Sequence, residues 1–163
     1  MADGFVSVSR RIEAPAEQLF ALVADSANHP LFDGSGMVRE PVPGVLVSGV
    51  GDAFVMNMHH DRFGDYQMRS EIIEYEPGRR LVWEPMRVAD PKADGDAPES
   101  GRYRWGFEFS PDGAGATLVT ESFDCTRSDA DLREAVKEGE GWRDAMTASL
   151  GRLELLARAL GGA

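Results

Sequence analysis

The chain is poor in the residues that build metal, redox and covalent-catalytic centres. It has a single cysteine, Cys125, so no internal disulfide can form and no oxidising compartment is implied. Cys125 has no neighbouring base in sequence and reads as a small apolar strand residue. Of the three histidines, His59 and His60 are adjacent. Neighbouring strand residues point to opposite faces, so the two cannot readily share one ion, and no metal site is expected. No Gly-x-Ser-x-Gly elbow, phosphate loop or dinucleotide fingerprint occurs, and no cofactor is expected. Gly34-Ser35-Gly36 lacks the strand-to-helix setting of such a loop and reads as a turn. Positive charge is scarce: 17 Lys and Arg stand against 28 Asp and Glu, for a net charge of −11 and a pI near 4.7. That balance opposes binding to nucleic acid or to an anionic membrane. No apolar run approaches the roughly 20 residues that cross a bilayer. Met-Ala-Asp-Gly at the start is not a basic segment leading into an apolar core, so no signal peptide and no membrane insertion are expected, and the expected location is cytoplasmic.

What is present suits one folded unit. The 163 residues, 42% hydrophobic and 28% charged, are enough for a sizeable core, and a single domain over 1–163 is expected. Phe5 to Ile12 alternate as a strand. Ala14-Pro15-Ala16-Glu17 opens a helix, with proline in the first turn where its missing N–H costs nothing. Leu19, Phe20, Leu22 and Val23 give that helix an apolar face, and Asp25-Ser26 ends it. Asn28-His29-Pro30 begins a second short segment. His29, with Asp25 and Asp33 nearby, reads as a turn and cap position holding the short helices together, rather than as an acid–base group. Strands are expected over Met37–Glu40, Val45–Val47, Asp52–His60, Tyr66–Tyr75, Arg80–Met86, Gly101–Phe109 and Ala116–Cys125, joined by hairpin-type turns. Ala89–Ser100, rich in Asp, Pro and Gly, reads as an exposed loop.

Ser128 or Asp129 caps a short helix reaching about Glu138. Gly139 and Gly141 then predict a break, and a main helix from about Glu140 to Leu160, ended by Gly161-Gly162. An apolar stripe runs Leu132, Ala135, Gly139, Trp142, Met146, Ser149, Leu153, Leu156, Leu160, spaced by threes and fours. Its small members suggest gaps between helix and sheet. The fold class is therefore α+β: two short helices after the first strand, a meander and a long terminal helix.

This order resembles the START-like, helix-grip superfamily, also called SRPBCC, and within it the bacterial polyketide cyclase/dehydrase-type group. The residues that carry the likeness are Ile12-Glu13-Ala14-Pro15 leading into Glu17-Gln18-Leu19-Phe20, then Asp25, His29-Pro30 and Asp33-Gly34-Ser35-Gly36. Gly51-Asp52-Ala53-Phe54, Glu76-Pro77, Arg80-Leu81-Val82-Trp83 and Gly141-Trp142 continue it. The resemblance implies a curved antiparallel sheet of about 6–7 strands wrapped around the C-terminal helix, with an apolar cavity between them. Its members include lipid carriers, hormone receptors and polyketide cyclases, so the fold alone does not choose a function.

Strand parity selects the lining. Arg69 and Glu71 must face water, which turns Tyr66, Met68, Ser70 and Ile72 inward. Arg102, Arg104 and Glu108 likewise turn Tyr103, Trp105, Phe107 and Phe109 inward. The concave face then collects Phe54, Met56, Met58, His60, Tyr66, Met68, Ile72, Trp83, Trp105 and Phe107, and the helix adds Trp142, Met146 and Ser149. Such residues also fill ordinary cores. As a group, several methionines beside a few polar groups suit an adaptable ligand pocket. The expected function is binding of a hydrophobic or aromatic small molecule by a carrier, sensor or storage protein, monomer or homodimer. A cyclase, aromatase or dehydratase using the same cavity, with Tyr66 and His60 as acid–base groups, is the alternative, and a protein-interaction module is the third reading.

Overall fold

The computed structural model describes residues 3–43, 46–62, 64–88 and 99–161. Strand β1 (Phe5–Ile12) leads into α1 (Ala16–Ala24), a 3-10 turn at Ser26–Asn28 and α2 (His29–Phe32). The meander follows as β2 (Val38–Pro41), β3 (Ala53–His60), β4 (Gly64–Glu76), β5 (Arg80–Arg87), the two-residue β6 (Glu99–Ser100), β7 (Arg104–Pro111) and β8 (Thr117–Asp124). The chain then forms α3 (Ala130–Ala135), a 3-10 segment at Lys137–Trp142 and α4 (Arg143–Gly161).

The main path of the curved antiparallel sheet runs β1-β8-β7-β5-β4-β3-β2, with β6 paired off it to β5. Its two edges, β1 and β2, are joined by the α1–α2 crossover, which therefore passes across the concave side. Helix α1 buries Leu19, Phe20, Leu22 and Val23, the face that sequence periodicity assigned to it. A register shift between Ile72 and Glu74 marks a bulge in β4, which bends the strand. The helical break expected near Gly139 is present: Lys137, Glu138 and Gly139 have φ of 53°, 57° and 96°. A Cβ at Gly139 would stand 3.1 Å from Val6 Cγ1 and 3.3 Å from Phe123 Cδ1, so that glycine meets both a backbone and a packing demand.

Three expectations change. Residues 101–103 lie outside β7, with Arg102 at φ 59°; here β5 passes from β7 to β6 as partner, pairing Trp83 with Trp105 but Met86 with Ser100. Val47 is buried in the core outside any strand. Val45, Ala89–Pro98 and Gly162 lie outside the described residues. The third change is the helix stripe. The buried positions of α4 are Met146, Ser149, Leu150, Leu153 and Ala157, while Leu160 is 60% exposed.

The small residues of the stripe do not leave space. Gly34 N–H donates to Ser149 Oγ at 2.8 Å, and that hydroxyl donates to the Ala145 carbonyl at 2.9 Å. A Cβ on Gly34 would lie 2.3 Å from the Ala145 carbonyl oxygen. The loop after α2 is thus seated directly on α4, and the Arg152 guanidinium donates to the Asp33 carbonyl beside it. We expect Gly34→Ala to cost about 1–3 kcal/mol or more through overpacking against this backbone. Chemical denaturation read by tryptophan fluorescence measures it; a midpoint equal to wild type would show that the contact does not fix α4.

Candidate functional site

The core divides into two clusters. The larger gathers α1, Phe32, Phe54, Met56, Trp83, Phe107 and the inner face of α4, and the smaller holds Val6, Phe123, Cys125 and Met146 with Trp142 packed against it. A cavity of about 200 Å³ is lined by members of both. An apolar cavity of about 150 Å³ suffices for benzene, whereas pockets for drug-sized ligands run about 300–1,000 Å³. This one is the size of a single ring with a small substituent. Along the β3–β4 ladder the wall passes from buried Phe54, Met56 and Ser70 to half-buried Met58, Tyr66 and Met68. Exposure therefore rises toward the β3–β4 hairpin.

The deep end is aromatic. Trp83 stacks on Phe107 with centroids 5.8 Å apart and an interplanar angle of 17°, and Phe54 meets Trp83 edge-on at 5.8 Å. His29 completes the group, its ring 5.2 Å from Phe54 and 5.5 Å from Trp83. Its Nε2–H donates to the Val23 carbonyl at 2.7 Å. Burial lowers the His29 pKa from the ordinary 6.5, against the opposing pull of Val23, Asp33 and Asp25, so the ring stays neutral. At the other side Trp142 packs edge-on against Trp105 at 5.5 Å. Burial also holds the Tyr103 phenol at about 12 and raises that of Tyr66.

One acid of the sheet faces inward. Glu121 lies in β8 in register with Phe107, flanked on the same face by fully buried Val119 and Phe123. It is 7% exposed, and its Oε2 has no hydrogen-bond partner. Burial raises its pKa well above 4.5, with a smaller push in the same direction from Asp33. Burial therefore favours the protonated carboxyl, which can donate in an apolar wall.

Most of the residues selected by strand parity line the cavity: Phe54, Met56 and Met58 from β3, Tyr66 and Met68 from β4, Trp83 from β5, and Trp105 and Phe107 from β7. Trp142, Met146 and Ser149 line it from the helical side. Two do not. Ile72, 0% exposed, is packed into the larger cluster, a register step beyond Ser70 at Trp83. His60 sits at the hairpin end opposite Gly64, where its Nδ1 accepts from the Arg62 backbone N–H at 3.0 Å, so it serves the turn. His59 projects to the opposite face and pairs with Asp65 at 2.7 Å. The sequence reading missed Glu121, and it took His29 as a turn residue because proline follows. Glu121 was findable, as the same parity argument on residues 117–124 places a carboxylate between Val119 and Phe123.

The sheet order, the crossover and this hollow define a helix-grip fold, one built to hold hydrophobic ligands. The chain belongs to the family described as polyketide cyclase / dehydrase and lipid transport, whose model matches residues 5–158. It is 38% identical over 125 residues to the uncharacterized protein Rv0088 of Mycobacterium tuberculosis, a match covering 74% of this chain and 47% of that protein. The chain thus spans about half the length of the curated relatives it matches. Among solved structures, protein NE0264 from Nitrosomonas europaea superposes with a TM-score of 0.72 at 13% identity, covering 99% of this chain and 98% of the other. Protein Ms6760 from Mycobacterium smegmatis gives 0.68 at 14% identity, covering 97% and 93%.

The raised Glu121 pKa has a consequence for stability. Above 4.5 the unfolded chain releases this proton while the folded chain keeps it, so stability falls as pH rises, until the folded pKa is passed. The slope from this group is about 1.4 kcal/mol per pH unit in that window. Glu121→Gln is expected to be more stable than wild type near pH 7.5, with the advantage vanishing near pH 4. Denaturation at the two pH values checks it; a pH-independent difference would mean that Glu121 is not held protonated by the fold.

Proposed function

We propose that the protein, acting as one START-like domain over 1–163, binds a small apolar or aromatic molecule in this cavity, as a carrier, sensor or store. The supporting observation is the hollow itself: about 200 Å³ walled by Phe54, Met56, Trp83, Phe107 and Met146, with few polar atoms. The flexible thioethers of Met56, Met58, Met68 and Met146 let the wall adjust to differently shaped guests. Binding in such a site is driven by removal of apolar surface from water. The family's lipid-transport description supports the same reading.

A cyclase- or dehydratase-type enzyme in the same cavity is the second reading, and Glu121 favours it. A neutral carboxyl in an apolar wall can protonate a carbonyl or a departing hydroxyl. The volume favours binding over this reading, because a polyketide chain needs a larger space than a single ring. With His60 committed to the hairpin turn, Glu121 and Tyr66 are the acid–base candidates.

Toluene is expected to raise the melting temperature of wild type by several degrees at saturation, since a ligand at 100 times its Kd adds about 2.7 kcal/mol. Met56→Trp, which fills the cavity, is expected to melt cooperatively without any toluene shift. Equal shifts in both proteins would place binding elsewhere, and no shift in wild type would contradict the reading.

A further inference from the structure

Among the described residues, the buried side-chain polar atoms without a partner are Glu121 Oε2 and Trp142 Nε1. Both residues line the same cavity. Trp142 packs against the rung next to that of Glu121. Glu121 is in register with Phe107, and the next inward rung pairs Trp105 with Phe123. The Trp142 ring lies against that rung, 5.5 Å from Trp105 and 6.1 Å from Phe123. Other polar side chains of the wall are engaged, while the Tyr66, Tyr103 and Ser70 hydroxyls also border the cavity. Ser149 Oγ bridges Gly34 and Ala145, His29 Nε2 donates to Val23, and Asp33 Oδ2 accepts from Ser35 and Gly36.

The chemistry of the two free atoms restricts the guest. An indole N–H can only donate, and a protonated carboxyl offers one O–H donor beside its carbonyl oxygen. A carbonyl oxygen on the guest, with two lone pairs, accepts from both. An ammonium group would suit an ionised Glu121 but would set its own donors against the Trp142 N–H. A carboxylate guest would bring a charge into a mostly apolar wall. The cavity volume of about 200 Å³ limits the guest to one ring and a short substituent.

We propose that Glu121 and Trp142 form a paired-donor site for the carbonyl oxygen of a small, neutral, single-ring ligand. The assignment rests on the cavity-binding reading above and adds its polarity and its two specificity-determining residues. The orphaned donors cost free energy with a hydrocarbon guest and are satisfied by a ketone, so discrimination follows from the difference.

The test compares acetophenone, ethylbenzene and benzylammonium binding to the intact protein by isothermal titration. Infrared spectroscopy then reads the carbonyl stretch of bound acetophenone. Wild type is expected to prefer acetophenone over ethylbenzene by about tenfold or more, with the stretch shifted to lower frequency. In Glu121→Leu and, independently, Trp142→Phe, the preference should fall toward unity and the stretch should return toward its position in hydrocarbon, while ethylbenzene still binds. Glu121→Gln, which keeps a donor, should retain part of both signals. Equal binding of acetophenone and ethylbenzene to wild type with an unshifted stretch would overturn the paired-donor site and leave the cavity reading standing. Tighter binding of benzylammonium would overturn it in favour of an anionic Glu121. Binding of none of the three would remove the cavity reading and this assignment together.

Discussion

A seven-strand face is too wide for one helix to cover. Strands about 4.8 Å apart make the β1-to-β2 path about 29 Å across, while a helix with its side chains is about 10 Å wide. Helix α4 lies toward one edge, against β1 and β8, and α1 and α2 reach β5, β7 and β2. Helix α4 does not centre on β3 and β4, whose inward faces supply much of the wall, with His29 of α2 set against Phe54. The seating of Gly34 on Ser149 and Ala145 fixes α4 in that off-centre position. The Arg10–Glu154 ion pair at 3.2 Å ties the same helix to β1. The hollow follows from geometry: the helices bound it but do not fill it.

Electrostatics then set its character. The protein carries a net charge of −11, yet the wall of the hollow is mostly apolar. Burial discharges Glu121 by raising its pKa and keeps His29 uncharged by lowering its own. Between about pH 4.5 and 6.5 the two effects on stability have opposite slopes, because one group is kept protonated by folding and the other is kept unprotonated. Charged side chains sit on the outward parity of the strands and pair there, as Arg80 does with Glu74 at 3.0 Å and Arg104 with Glu84 at 3.1 Å. What remains inside is an aromatic and thioether wall with a few polar groups, Glu121 and Trp142 among them.

Much of this was legible in the chain. The alternation of β3, β4 and β7 carries its own orientation, because an arginine or glutamate on one parity forces the aromatic and methionine residues to the other. Helix α1 was readable from Pro15 and the Leu19–Val23 face, and the helical break from Gly139. The reading went astray where tertiary contact outweighs local pattern. Ser149 and Gly139 look like gaps in a helix stripe, but one receives the Gly34 backbone and the other Val6 and Phe123. His29 looks like a turn residue, yet the crossover carries it among Phe54, Phe32 and Trp83. Glu121 breaks the rule that charged residues mark the outward face, and a rule of that kind hides its own exceptions.

The central claim is that an apolar hollow stays open beneath β3, β4 and β5, bounded by the helices but not filled by them. A crystal of the protein pressurised with xenon tests this most directly, since xenon enters dry apolar cavities and scatters strongly. The account predicts an ordered xenon atom bounded by Met56, Trp83 and Phe107. A well-ordered crystal with those side chains in mutual contact, and no xenon between sheet and helices, would contradict it.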